Sequence, residues 1–253
     1  MDESVEIPTD VVTAADIEPG ATLRGVNLED ANLTGADLRN SDLRNATLIR
    51  VSSMNIILRQ ADLRDTTSYH AVLKEGDLRG ADLRGADFGH AYFQHADLRD
   101  AQMTGTILTD SYFTGADLTA ATLSESDVRH VWFRSCTLTN ADLTDANLTN
   151  TDYTDATLVD ADLSQSRLRA ADFEDADLRG ADLSNTNLND ANLVGANLSG
   201  ADLRNATLDE ADFTDATLTD ADLSAARLED ADLFGAYDLW EADLTDTIFG
   251  DAQ

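Results

Sequence analysis

The sequence predicts an all-β fold: a four-sided β-solenoid occupying residues 21–240. Three observations predict it: an unbroken five-residue repeat, a second spacing of twenty, and a concentration of turn-forming residues at one position of each pentad. With pentads counted from residues ending in 1 or 6, the frame holds for 44 of them, from Ala21 to Trp240. Alanine takes the first position in 30, and leucine the third in 32, with Phe, Met, Val or Tyr in nine more. A helix would need apolar spacings of three and four, and a long strand would need strict alternation. An unvarying five fits neither.

Residues one and three of a pentad lie two apart, so in extended backbone both point to the same side. Positions four and five must then turn the chain before the next inward pair. Ten of the fourteen glycines sit at position five inside the array, with Asn or Asp at many others, residue types that tolerate turn geometry. Both prolines, Pro8 and Pro19, precede the array, as expected where backbone N–H groups bond between coils.

The coil length comes from the aromatic third positions. Phe93, Phe113, Phe133, Tyr153, Phe173 and Phe213 share one frame of twenty, and Phe88 alone falls outside it. Large rings stack when coils are in register, so four pentads close one coil. At about 4.8 Å per layer, eleven coils give a rod of about 50 Å.

Segments such as ANLTG-ADLRN-SDLRN (31–45) and ADLRG-ADLSN-TNLND-ANLVG-ANLSG-ADLRN (176–205) carry an A(D/N)LxX motif that resembles the pentapeptide repeat family. The resemblance covers about nine tenths of the chain. It implies a right-handed quadrilateral β-helix. Family members that confer quinolone resistance resemble DNA in shape and charge and bind DNA gyrase, and some members dimerise through their C-terminal ends.

The array has defects and ends. Ser53, Ser68 and Asp238 interrupt the apolar third position, and the two serines are each followed by a large apolar residue, Met54 or Tyr69. A bulge that swings the large residue inward is the favoured reading over an exposed apolar spot. Residues 1–20 are the expected N-terminal cap, with Ile17 as a candidate first rung. Residues 241–253 form a last rung and cap, after a one-residue slip in AYDLWEADL (236–244). Phe234, Tyr237, Trp240 and Phe249 gather there, as a cap over the open core or as an end-to-end homodimer contact.

Composition narrows function. The 253 residues carry 49 acidic and 17 basic side chains, a formal net charge of -32, with Lys74 the only lysine. Direct binding to a phosphate backbone needs the opposite balance. The acidity reads either as adaptation to high salt or as a surface for a basic partner. The single Cys136 forms no internal disulfide and reads as a small buried core residue. An acidic N-terminus and the lack of an 18-residue apolar run give the expectation of a cytoplasmic protein without a membrane segment.

Folded on twenty-residue coils, His70, His90, Asp110 and His130 share one outer column, and Tyr92, Tyr112 and Trp132 another, with Arg129, Arg134 and His95 beside them. This patch reads as a protein contact or as an ordinary solvated face with the rings flat over their neighbours, rather than as a metal site, since a flat ladder converges ligands poorly. Catalysis needs a concave pocket. The expectation is a protein with no active site and no cofactor. Asp142, Asp162, Asp182, Asp202 and Asp222 form a further outer column in the more acidic half. A rod of about 50–60 Å with 32 negative charges approaches the linear charge density of duplex DNA, one per about 1.7 Å. Any strongly acidic rod would match as well. With the resemblance to the quinolone-resistance members, the leading expectation is a non-enzymatic binder of a basic DNA-binding surface, such as that of a type II topoisomerase (gyrase). The alternative is a structural scaffold or protein-interaction rod whose acidity serves salt adaptation.

Overall fold

A computed structural model describes residues 13–250. Most of the predicted N-terminal cap, residues 1–12, lies outside the described residues. The part that is described opens on one 3-10 turn, Ala14–Asp16. Asp16 closes it by accepting bonds from the Thr13 backbone N–H and hydroxyl, both at 2.7 Å. Ile17 packs half-buried against the first rung of the core.

From there the chain winds as a β-solenoid. Position two of each pentad bridges in parallel to the residue twenty further on, in four ladders: Thr22↔Asp42↔Asp62 heads one and Val72↔Tyr92↔Tyr112↔Trp132 runs within another. The backbone bonds follow one rule, illustrated around Asp62. Its N–H donates to Ser41 C=O (2.9 Å), Leu63 N–H to Asp82 C=O (2.7 Å), Asp65 N–H to Arg84 C=O (3.1 Å), and Thr66 N–H turns back to Leu63 C=O (3.2 Å). Positions one, two, three and five are thereby satisfied.

Position four is left over, and buried or half-buried N–H groups need partners. The side chain at position two supplies one. Asn32 Oδ1 accepts from Thr34 N–H (3.1 Å), Asp162 Oδ1 from Ser164 N–H (2.9 Å) and Asp222 Oδ1 from Ser224 N–H (2.9 Å). Such Asx turns explain why Asp or Asn dominates position two. They also separate fold from charge, because Asn makes the same bond as Asp.

Position five makes the corner. Every fifth residue from Gly25 to Gly235 has φ between +53° and +73°, and 33 of those 43 are not glycine. The left-handed conformation costs an ordinary residue roughly 1–2 kcal/mol, less for Asn and Asp, so the ladder bonds and core burial outweigh it at each corner.

The third-position side chains and the small first-position residues fill the interior. One column of rings stacks coil on coil: Phe93–Phe113 at 4.6 Å, Phe113–Phe133 at 5.0 Å, Phe133–Tyr153 at 5.4 Å and Tyr153–Phe173 at 4.8 Å between centroids. Phe213 is likewise buried. Cys136 is buried too, its Sγ 2.9 Å from Phe113 C=O, and burial pushes its thiol up to about 12.

The structure corrects the inward reading of Met54 and Tyr69. Ser53 and Ser68 stay inside, at 1% and 0% exposure, while Met54 and Tyr69 remain outside at 39% and 38%. No bulge forms, because Ser53 Oγ finds Val72 C=O (2.6 Å) and Ser68 Oγ finds Thr66 Oγ1 (3.2 Å), so the frame holds at no unsatisfied polar cost. Near the end, Asp238 does not break the core. It is itself left-handed (φ +57°), two places before the corner expected at Trp240. A 3-10 turn follows over Leu239–Glu241, Leu239 packs inward instead, and the next left-handed corner, Asp246, comes one place late. The ladder register becomes 21 at Asp222↔Asp243. The last contact pairs strand β1 (Arg227–Leu228) in parallel with β2 (Ile248–Phe249).

Candidate functional site

The outer side chains divide the rod into regions of different chemistry. In the first hundred residues arginine at position four folds back on aspartate at position two of its own pentad, Arg64 on Asp62 at 2.7 Å and Arg84 on Asp82 at 2.6 Å. The same guanidinium reaches the next coil: Arg44 to Asp62 at 3.3 Å, Arg64 to Asp82 at 3.4 Å and Arg79 to Asp97 at 3.3 Å. These zippers neutralise the columns they run through. The Arg44 hydrogen bond holds the Asp42 carboxyl down to about 2, and Arg79 with Arg59 holds Asp77 lower still.

Beyond residue 140 the zipper thins out. Asp142, Asp162 and Asp182 stand in one ladder, with Thr144, Ser164 and Ser184 where the earlier coils place arginine. Asp202 and Asp222 continue that ladder, but Arg204 pairs with Asp202 and approaches Asp222 at 3.7 Å. The predicted five-residue acidic column is therefore three open carboxylates followed by two partly neutralised ones. Sequence reasoning missed this screening.

The rings of the aromatic column lie one above another. Tyr92 and Tyr112 stack at 5.1 Å and 6° between planes, and Trp132 follows at 5.8 Å. Lys74 lies over Tyr92 at 5.3 Å and Arg134 over Trp132 at 5.2 Å. Arg134 also pairs with Asp152. In the neighbouring column His70 and His90 are 5.0 Å apart, and His90 Nε2 is 3.7 Å from Asp110. Tyr69, which sequence reasoning placed inward, joins this group edge-on to both histidines, at 4.3 and 4.9 Å. Its ring lies over Gly89, where a Cβ would approach it to 3.1 Å. That glycine at position four, one coil above a tyrosine, was the available signal. His130 and Trp132 edge a shallow groove of about 420 Å³ with Asp110, Asn150, Asp152 and Asp172. Among the described residues no three His, Cys, Asp or Glu side chains converge as metal ligands do.

The C-terminal end is apolar and open. Phe234 and Trp240 are 77% and 79% exposed, Tyr237 and Phe249 about half. Ala231, Leu233, Ala236 and Leu244 touch the core without being covered. Among the described residues no helix is long and apolar enough to cross a membrane.

The repeat, its register and its inward pairs match known sequences. The family description "Pentapeptide repeats", in eight copies, matches residues 20–51, 55–89, 171–209 and 211–251, and "Pentapeptide repeat region" matches 86–163 and 106–183. The chain belongs to the pentapeptide repeat family. It is similar to HetL, a pentapeptide repeat protein involved in heterocyst differentiation regulation from the cyanobacterium Nostoc sp. strain PCC 7120. Identity is 31% over 94% of both chains, with a TM-score of 0.36. It is also similar to QnrB1, a plasmid-mediated fluoroquinolone resistance protein, at 19% identity over 73% of this chain and 94% of that one, TM-score 0.54. Rfr23 from the cyanobacterium Cyanothece 51142 is 41% identical over 39% of this chain and 63% of that one, with a TM-score of 0.34. No curated protein sequence matches the chain. As a pentapeptide repeat protein it shares a family whose members are generally structural or binding proteins.

Proposed function

We propose that this pentapeptide repeat protein is a non-enzymatic binder whose acidic wall occupies a basic, DNA-binding protein surface of the kind a type II topoisomerase such as gyrase presents. One observation carries this reading. Position two needs only an Asx acceptor, which Asn32 and Asn197 provide as well as any aspartate, yet 19 pentads use Asp there and six use Asn. The surplus charge is not demanded by the fold. Residues 1–100 hold 10 basic and 18 acidic side chains and residues 101–253 hold 7 and 31, so the surplus lies mainly in the far half. The rod is taken as right-handed and quadrilateral, four pentads to a coil and about eleven coils. The four parallel ladders support the four-sided coil of twenty residues, and the hand follows the family resemblance.

Inhibition of supercoiling by purified gyrase, measured across a salt series, tests the function. Asp142, Asp162 and Asp182 replaced together by Asn keep their backbone bonds and lose three charges. At about 0.2–1 kcal/mol per exposed charge contact, the inhibitory concentration should rise about tenfold, and added salt should weaken the parent in the same direction. Absence of inhibition by the parent at low salt refutes the reading.

The open end is taken as an end-to-end homodimer contact, since four exposed aromatics there rim an uncovered core. At low salt and low protein concentration, Trp240→Asp should convert a dimeric sedimentation mass to a monomeric one. An unchanged mass excludes this end as the contact.

A further inference from the structure

We propose that the wall carrying Tyr92, Tyr112 and Trp132 is a side-by-side contact with a second copy of this chain, the two rods running antiparallel about a two-fold axis at Tyr112. This goes beyond the binding of a basic surface and uses a different part of the rod.

Segregation of residue types is the first argument. Four stretches lie one above another on this wall: 69–75, 89–95, 109–115 and 129–135. They contain all four histidines, the only lysine, and three of the five tyrosines. Away from the C-terminal end, the exposed large apolar side chains are Met54, Tyr69, Ile107 and Trp132. Met54 and Trp132 project from this wall, Tyr69 stands at the corner that leads into it, and Ile107 lies further back in the ladder before it. Trp, Tyr and Arg are the side chains that dominate binding energy at protein interfaces.

Charge selects the occupant. The same stretches carry Lys74, Arg129 and Arg134 against Glu75 and Asp110, a formal sum of +1 on a chain of -32. A basic partner would find better surfaces elsewhere on the rod. Two strongly acidic rods, in contrast, can approach each other only where their own charge is absent, and this wall is such a place. The ring faces are already used: Lys74 covers Tyr92, the rings cover one another, and Arg134 covers Trp132. Ring edges remain, which suit a flat partner and leave no slot for an intercalating base or proline.

Charge also selects the direction. In parallel register Asp152 and Asp172, which continue the aromatic ladder, would each face their own copy. With the axis at Tyr112, Tyr92 faces the partner's Trp132, Val72 faces the partner's Asp152 and Ser52 faces the partner's Asp172. The heavily negative far half of each rod then lies along the zippered near half of the other. Four rungs of about 4.8 Å form a contact well below the roughly 800 Å² per partner of a tight complex, so the pairing is weak and concentration-dependent. Salt strengthens it by screening the remaining repulsion, the reverse of its effect on binding to a basic surface.

Cysteine cross-linking in the full chain tests the pairing, with the buried native Cys136 as internal control. Under mild oxidation Tyr112→Cys should give a covalent dimer, and the yield should rise with salt. Tyr92→Cys alone should not, since its own copy stands about 10 Å away, two rungs off, beyond disulfide reach. A mixture of Tyr92→Cys and Trp132→Cys chains should cross-link. Trp240→Asp should leave these products intact, which separates this wall from the end contact. A parent chain that sediments as a monomer in high salt at its highest soluble concentration, together with no covalent Tyr112→Cys dimer, overturns the proposal. A Tyr92→Cys homodimer overturns the antiparallel direction.

Discussion

Replacing Phe133 by alanine should lower the unfolding free energy by about 3–5 kcal/mol, the range for large aromatic truncation in a core. Phe133 is fully buried and lies between Phe113 and Tyr153 in the ring column. Those neighbours cannot close over the gap, because each rung is fixed to the next by backbone bonds such as Phe133 N–H to Asp152 C=O at 2.7 Å. A solenoid is stabilised through nearest-neighbour interfaces, so a hole at mid-rod also weakens coupling between its halves. Guanidinium unfolding should show an earlier midpoint and a broader or split transition. Phe234→Ala is the matched control, since that ring is 77% exposed and truncating it should leave the midpoint almost unchanged. Equal shifts for both variants would show that the column contributes no special packing.

What the sequence made legible follows from the lattice it encodes. Residues twenty apart must be neighbours, so column membership, such as Phe93 under Phe113 or Tyr92 under Tyr112, could be read by counting. The open corner at position five and the one-residue slip near 238 were legible for the same reason. The direction of Met54 and Tyr69 was not, because size alone argued for swinging them inward. The ladder on both sides of each pentad outweighs local size, and the serine hydroxyls find acceptors inside. Arg204 shows a different limit. Its column was known, but its reach to both Asp202 and Asp222 depends on side-chain conformation, which counting does not give. The role of Asp at position two was hidden likewise. Its backbone partner becomes visible only when every other N–H of the pentad has been assigned.

Tyr153→Phe should stabilise the protein by about 1–3 kcal/mol, the cost of a buried polar group left without a partner. Tyr153 sits fully buried between Phe133 and Phe173, its ring within 3° of parallel to Phe173, and its hydroxyl has no hydrogen-bond partner among the described residues. Burial accordingly drives the phenol far above its ordinary ionisation range. Phenylalanine keeps the ring and its stacking while removing the stranded oxygen; the lost van der Waals contacts of one atom are the smaller term. A raised guanidinium midpoint is the expected result, and a lowered one would mean that the hydroxyl is satisfied in solution. The two ring substitutions should not add. Phe133→Ala opens space beside Tyr153 in which water can reach the hydroxyl, so in that background Tyr153→Phe should gain little. A double-mutant cycle reads this difference directly. If the gain from Tyr153→Phe survives undiminished in the Phe133→Ala background, the stranded hydroxyl is not the reason for it.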